Sequence, residues 1–149
     1  MRIINGMEEL EQAVGTHLGY SDWHSVTQDQ IGLFADATGD HQWIHVDQKK
    51  AKEGPFGSTI AHGYRTLSVP MLSWQVYKVE GMPMGVNYGA NRLRFPSPVW
   101  VAPTVRAGVE LLSVTPAGGG YQVIARVAVE RDGGDKPACA VDAVSVLVP

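Results

Sequence analysis

The sequence predicts an α+β fold: helical periodicity fills the first half, strand-length alternation fills the second, and turn-forming clusters separate the late strands. Those strands must bury one apolar face. Residues 63–77 supply the partner, because Leu67, Met71, Leu72, Trp74 and Val76 are apolar on more than one side of a helix. A single domain over residues 1–149 follows, an antiparallel sheet wrapped around one long central helix.

Met7, Leu10, Val14 and Leu18 recur at steps of three and four, which predicts an amphipathic helix over 7–18 before Gly19. A short strand is expected around 23–26. Thr27 with Gln30 three residues on is a capping-box pattern, and Ile31, Phe34 and Ala35 form the inward stripe of a helix running to Gly39. Asp47 caps a short helix stopped by Gly54-Pro55, and 56–60 reads as loop or extended chain. The segment 63–77 reads as one helix kinked at Pro70, where a backbone donor is missing.

Residues 84–95, 104–114, 121–130 and 138–148 are the strands, rich in Val and alternating in polarity. Pro96-Ser97-Pro98, the run from Pro116 to Gly120 and the run from Arg131 to Asp135 suit turns between antiparallel neighbours.

The 149 residues suffice to bury roughly two-thirds of the unfolded chain's surface. With 44% hydrophobic and 18% charged residues, the composition is that of a globular domain. Twelve Lys and Arg against fifteen Asp and Glu argue against a broad nucleic-acid-binding face. The lone Cys139 excludes an intrachain disulfide and a cysteine-rich metal motif, and reads as a small buried strand residue. The first residues turn acidic after Ile3-Ile4, without a signal-peptide core, and no run approaches the roughly 20 apolar residues of a membrane span. The expected location is cytoplasmic.

The densest polar cluster, Thr38 to Asp47, sits where a helix ends and a loop begins. Asp40 and His45 are close enough in sequence for a bent segment to aim both at one water, and a carboxylate beside an imidazole is general acid/base equipment near neutral pH. The plain alternatives are a helix-exit turn residue and a satisfied core histidine. His41 and His45 also have the spacing of a helical zinc pair, with His62, Asp40 or Asp47 as further ligands. Gly39 and the irregular local sequence argue against the helix that pair needs, so no metal and no cofactor is expected.

The second cluster, Phe56 to Gly63, leads into the buried helix. A helix start carries N–H groups without intrahelical partners, so the Gly63 N–H is suited to holding an oxyanion if it faces Asp40 and His45. Gly57 and Gly63 could equally serve only as turn residues.

Together, the runs Phe34–Asp40, Ile44–Asp47 and Phe56–Gly63, with the late run Asn87–Pro96, resemble the MaoC-like dehydratases, the (R)-specific enoyl-CoA hydratase family. The resemblance implies a hot-dog fold, normally a homodimer with acyl-CoA near the subunit interface. It also implies reversible addition of water to trans-2-enoyl-CoA, with Asp40 and His45 as catalytic residues and Gly63 as the backbone oxyanion donor. Substrate contacts are expected from Phe56, Gly57, Ile60 and His62 in the second run, from Arg65 just inside the helix, and from Asn91, Arg92 and Arg94 in the late run. Lys49, Lys50 and Lys52 are further candidates for the CoA phosphates, each equally readable as a solvated charge.

Two departures stand out. Family members commonly carry Asn-Pro where this chain has Gln42-Trp43, and Arg65 replaces a usually apolar residue. Two competitors share the scaffold: an acyl-CoA thioesterase, and a catalytically silent acyl-binding subunit. Intact Asp40 and His45 weigh against both.

Overall fold

The computed structural model describes residues 1–149, the side chains of Pro70 and Met71 excepted. Its main sheet is antiparallel and runs in the order β2 (His17–Tyr20), β6 (Thr104–Ala117), β7 (Gly120–Arg131), β8 (Cys139–Val148), β5 (Met84–Arg94), with β3 (His24–Ser25) also paired to β6. A second, two-stranded parallel sheet joins β1 (Arg2–Ile4) to β4 (Tyr77–Val79). The β6–β7 hairpin closes through Gly118 and Gly119 at φ 55° and 87°, the pair of positive φ values that a two-residue turn between twisted strands requires. Arg126 pairs with Asp142 across β7 and β8, its Nε 2.9 Å from Oδ1, at the position where those two residues are register partners.

The helices are α1 (Gly6–Gln12), α2 (Gln28–Thr38), α3 (Trp43–Val46), α4 (Gln48–Lys52) and α5 (Gly63–Leu67), followed by a 3₁₀ helix over Val69–Gln75. α5 packs on β8 and the 3₁₀ segment on β6 and β7. The fully buried Val105, Val109 and Leu111 of β6 and Val123, Val127 and Val129 of β7 form the core with Ile4, Leu10 and Ile31 from the earlier segments.

Two sequence expectations are corrected. The helix expected over 7–18 ends at Gln12, and Leu18 lies in β2. Its periodicity crosses a chain reversal in which Gly15 donates to the Leu111 carbonyl at 2.7 Å, so pairing with β6 overrides the helical pattern. The single central helix expected over 63–77 is two pieces, α5 and the 3₁₀ segment, with Pro70 near the start of the second. A proline there costs no hydrogen bond, because the first turn has donors without partners. Tyr77 has already left the helical path and pairs with Arg2. No helix among the described residues is long and apolar enough to cross a membrane.

Candidate active site

Asp40 is placed by the end of α2. Its capping box is complete at Thr27 and Gln30, and the helix stops at Gly39, whose φ of 78° is left-handed and suits a residue without a side chain. The next residue leaves the helix with its carboxylate anchored, because the Gln42 N–H donates to Asp40 Oδ1 at 3.2 Å. His45 sits in the single turn of α3, a segment whose irregular sequence suggested a loop, and is 6% exposed. Its main chain is held by Gln28, whose Nε2 donates to the His45 carbonyl at 2.8 Å while Gln28 Oε1 accepts from the Thr59 hydroxyl at 2.6 Å.

The imidazole tautomer follows from its partner. His45 Nδ1 lies 2.8 Å from the Ile60 carbonyl, which can only accept, so Nδ1 carries the hydrogen and Nε2 presents a lone pair. His62 Nε2 lies 2.9 Å from the Asp40 carbonyl and by the same reasoning donates to it. The two rings stack with centroids 3.8 Å apart, and Phe34 packs on the His62 ring at 4.9 Å. One donor atom from each of Asp40, His45 and His62 lies within 4.8 Å of the others. Burial pushes the His45 pKa below its ordinary value of 6.5; the Ile60 bond and the Asp40 charge oppose that shift, and His62 adds to it.

A carboxylate and two imidazoles so close together are a donor set for a divalent cation, but the ring geometry does not fit one. The rings are inclined by only 24°, so an ion cannot lie in both ring planes at bonding distance. His62 Nε2 and His45 Nδ1 are also committed to carbonyls. His41, the other half of the zinc-pair spacing, points to Asp36 instead, 2.8 Å away at the surface, and that hydrogen bond raises its pKa.

Gly63 opens α5 one residue after His62. Its N–H has no intrahelical acceptor, and no other hydrogen bond engages it among the described residues. The Phe95 ring closes over it: an added Cβ would meet that ring at 3.2 Å.

The remaining expected contacts are spread out. Phe56 and Gly57 are exposed, and the Phe56 carbonyl accepts from Trp100 Nε1 at 3.0 Å. Ile60 is buried and meets the site through its carbonyl. Arg65 is 8% exposed and donates to Gln30 Oε1 at 2.6 Å, so it is a buried residue of the α2–α5 contact. Asn91, Arg92 and Arg94 lie exposed on β5. Lys49, Lys50 and Lys52 occupy α4, all exposed, and Lys50 sits over the Trp43 ring at 4.8 Å.

Sequence reasoning missed Gln28 and Thr59, which orient His45 from 17 and 14 positions away and carry no local signal. It flagged Trp43 without its partner, Gly54. A Cβ at Gly54 would stand 2.9 Å from the Trp43 ring, so the two residues occupy one space. Gly54→Ala is expected to cost about 1–3 kcal/mol through overpacking, read as a lower urea midpoint at unchanged slope.

Comparison with known proteins gives the family. A family model for the MaoC like domain matches residues 9–132. The 3-hydroxyacyl-thioester dehydratase Z of Mycobacterium tuberculosis is 47% identical over 146 residues, 97% of each chain. Nodulation protein N of Rhizobium leguminosarum is 39% identical over 145 residues, 95% of this chain and 90% of that one. The solved (R)-hydratase of A. caviae superposes with a TM-score of 0.71 at 23% identity, over 91% of this chain and 96% of that one. Sequence and fold therefore converge, and the chain belongs to the MaoC-like dehydratases, a family of hydro-lyases on the hot-dog fold.

Proposed function

We propose that this protein hydrates trans-2-enoyl-CoA thioesters reversibly, giving (R)-3-hydroxyacyl-CoA. The observation that carries the reading is the clustering of Asp40, His45 and His62, one donor atom of each within 4.8 Å of the others, with His45 Nε2 left with a lone pair by the Nδ1 bond to Ile60 and with the unengaged Gly63 N–H at the adjoining helix start. Asp40 and His45 hold a water between them, and Nε2 takes its proton as the oxygen attacks C3. Negative charge develops on the thioester oxygen, where the Gly63 N–H stabilises it by about 3 kcal/mol, a value typical of one preorganised donor. The proton on His45 then passes to C2, so one water is consumed and both residues return to their starting states. Asp40 orients the water and offsets the transient imidazolium charge.

The acyl chain has a place to go. A cavity of about 700 Å³ opens beside Leu67, between the 3₁₀ helix and the inner face of the sheet, with Trp74, Tyr88, Ala125, Ala143 and Leu147 among its walls. Leu67 ends the helix that Gly63 opens, and it is the α5 residue among the cavity walls. The volume lies within the roughly 300–1,000 Å³ of small-molecule sites and far exceeds what a four-carbon acyl group fills.

The enzyme is read as a cytoplasmic homodimer that needs no cofactor. The dimer reading rests on β5, whose outer edge has no strand partner among the described residues and which exposes Met84, Val86 and Tyr88 on alternate positions. Sedimentation at micromolar concentration should give twice the mass of one chain, and Tyr88→Lys should shift it toward the monomer.

Incubation with crotonyl-CoA tests the chemistry. Loss of enone absorbance without free thiol is expected. Release of thiol would instead mean hydrolysis, and no change with crotonyl-CoA or longer enoyl-CoA esters would refute the reading.

A further inference from the structure

We propose that His62 is a positioning residue that holds the Asp40 main chain and the His45 ring in register with each other, as a neutral imidazole protonated on Nε2. The inference rests on the hydratase reading for its kinetic consequences and on geometry alone for its structural ones.

His62 is 3% exposed, the N-cap of α5, and touches residues of three segments, Phe34 of α2, Asp40 after it and His45 of α3. Its Nε2 donates to the Asp40 carbonyl at 2.9 Å, across 22 positions of sequence. One ring face carries His45 at 3.8 Å, and Phe34 of α2 packs at 4.9 Å. Nδ1 is buried without any hydrogen-bond partner. A buried nitrogen without a partner is tolerable as a lone pair but costly as an N–H, because protonation would bury an unpaired donor and a charge together. The surroundings therefore select the neutral form with its single hydrogen on Nε2.

The neutrality matters to the neighbour. While His45 holds the proton in transit, it is a cation stacked on the His62 ring. A neutral imidazole gives that cation an aromatic face, whereas a charged one would repel it at the same distance. The groups facing His45 are then the Asp40 carboxylate, the neutral His62 ring and the Ile60 carbonyl. His62 reaches the reaction only through Asp40 and His45, so its removal should lower turnover and leave substrate affinity nearly unchanged.

Two variants of the full chain separate the contributions. His62→Phe keeps the stack and loses the donor to Asp40; His62→Gln keeps a donor near the Nε2 position and loses the stack. With crotonyl-CoA, His62→Phe is expected to lose about a hundredfold in kcat, the cost of an ångström-scale misplacement, with KM changed less than about threefold. The acid limb of its kcat/KM profile should stay where wild type has it, because the Phe ring also gives the His45 cation an aromatic face, whereas His62→Gln should move it to lower pH. His62→Gln should recover part of kcat. A KM rise at constant kcat would make His62 a substrate contact and overturn the proposal, as would an acid limb that moves to higher pH in His62→Phe, the mark of a charged neighbour removed.

Long-range ¹H–¹⁵N spectra of the free protein give the readout that needs no turnover. At pH 7, His62 should carry its single hydrogen on Nε2 with Nδ1 bare, and the His45 titration should move downward in His62→Gln and stay in place in His62→Phe. A hydrogen on His62 Nδ1, or a His45 titration unmoved in His62→Gln or moved upward in His62→Phe, rejects the positioning role. If wild type turns over no enoyl thioester, the functional reading falls and these spectra still decide the role of His62.

Discussion

His45→Gln is expected to lower kcat for crotonyl-CoA hydration by about 10²–10⁴-fold, the range for loss of a positioned general base, with the protein still folded. Glutamine can keep a contact to the Ile60 carbonyl, but it presents no lone pair of comparable basicity where Nε2 stands. Asp40→Asn should fall in the same range. It keeps the size of the side chain and its contact with the Gln42 N–H, and removes the charge that orients the water and offsets the imidazolium. The double variant should be little worse than either single one, because the two act on the same water. Wild-type turnover in either variant would end the proposed mechanism.

The same residue sets the pH dependence. Its pKa lies below 6.5, chiefly through burial, so the neutral form that accepts a proton dominates at pH 7. The acid limb of kcat/KM should therefore fall below pH 6.5. The sign for stability is the same: between the folded value and the higher unfolded one, the unfolded chain binds more protons. His45 thus contributes stability that is complete above about pH 6.5 and lost as pH falls through the folded value.

Ala143→Phe should cut kcat/KM for dodecenoyl-CoA by about a hundredfold relative to crotonyl-CoA. Ala143 lies on β8, partly exposed in the wall of the large cavity, so a benzyl group there extends into open volume. Excluding about four methylenes at ~0.8 kcal/mol each costs about 3 kcal/mol, roughly two powers of ten. The short substrate gains little from the deep part of the cavity and loses little. Equal effects on both chain lengths would show that the cavity does not hold the acyl chain.

Much of this architecture was legible in the amino acids, and the reasons are local. Thr27 and Gln30 forecast a capping box because both bonds lie within one turn, and both are made. The four late strands were readable because a turn cluster bounds each one and the β6–β7 turn needs two glycines in a row. The errors arose where distant contacts decided the outcome. Leu18 continues the helical spacing of Leu10 and Val14, yet Gly19 and Tyr20 pair with Val109 and Gly108 of β6, and no local preference records that pairing. For the site, the proximity of Asp40 and His45 followed from five positions of separation. The Gln28 amide behind His45 and the His62 ring beneath it depend on how α2 and α5 meet, which no motif encodes.

The seating of Trp43 against Gly54 has an evolutionary consequence. Positions 43 and 54 are coupled in one direction: the indole at 43 leaves room at 54 only for a residue without a side chain. Replacing the indole by proline would hollow out the space above the glycine and leave Lys50 without its aromatic partner. A lineage that keeps Trp43 is therefore held to glycine at position 54, and one that loses it first passes through a loosely packed turn.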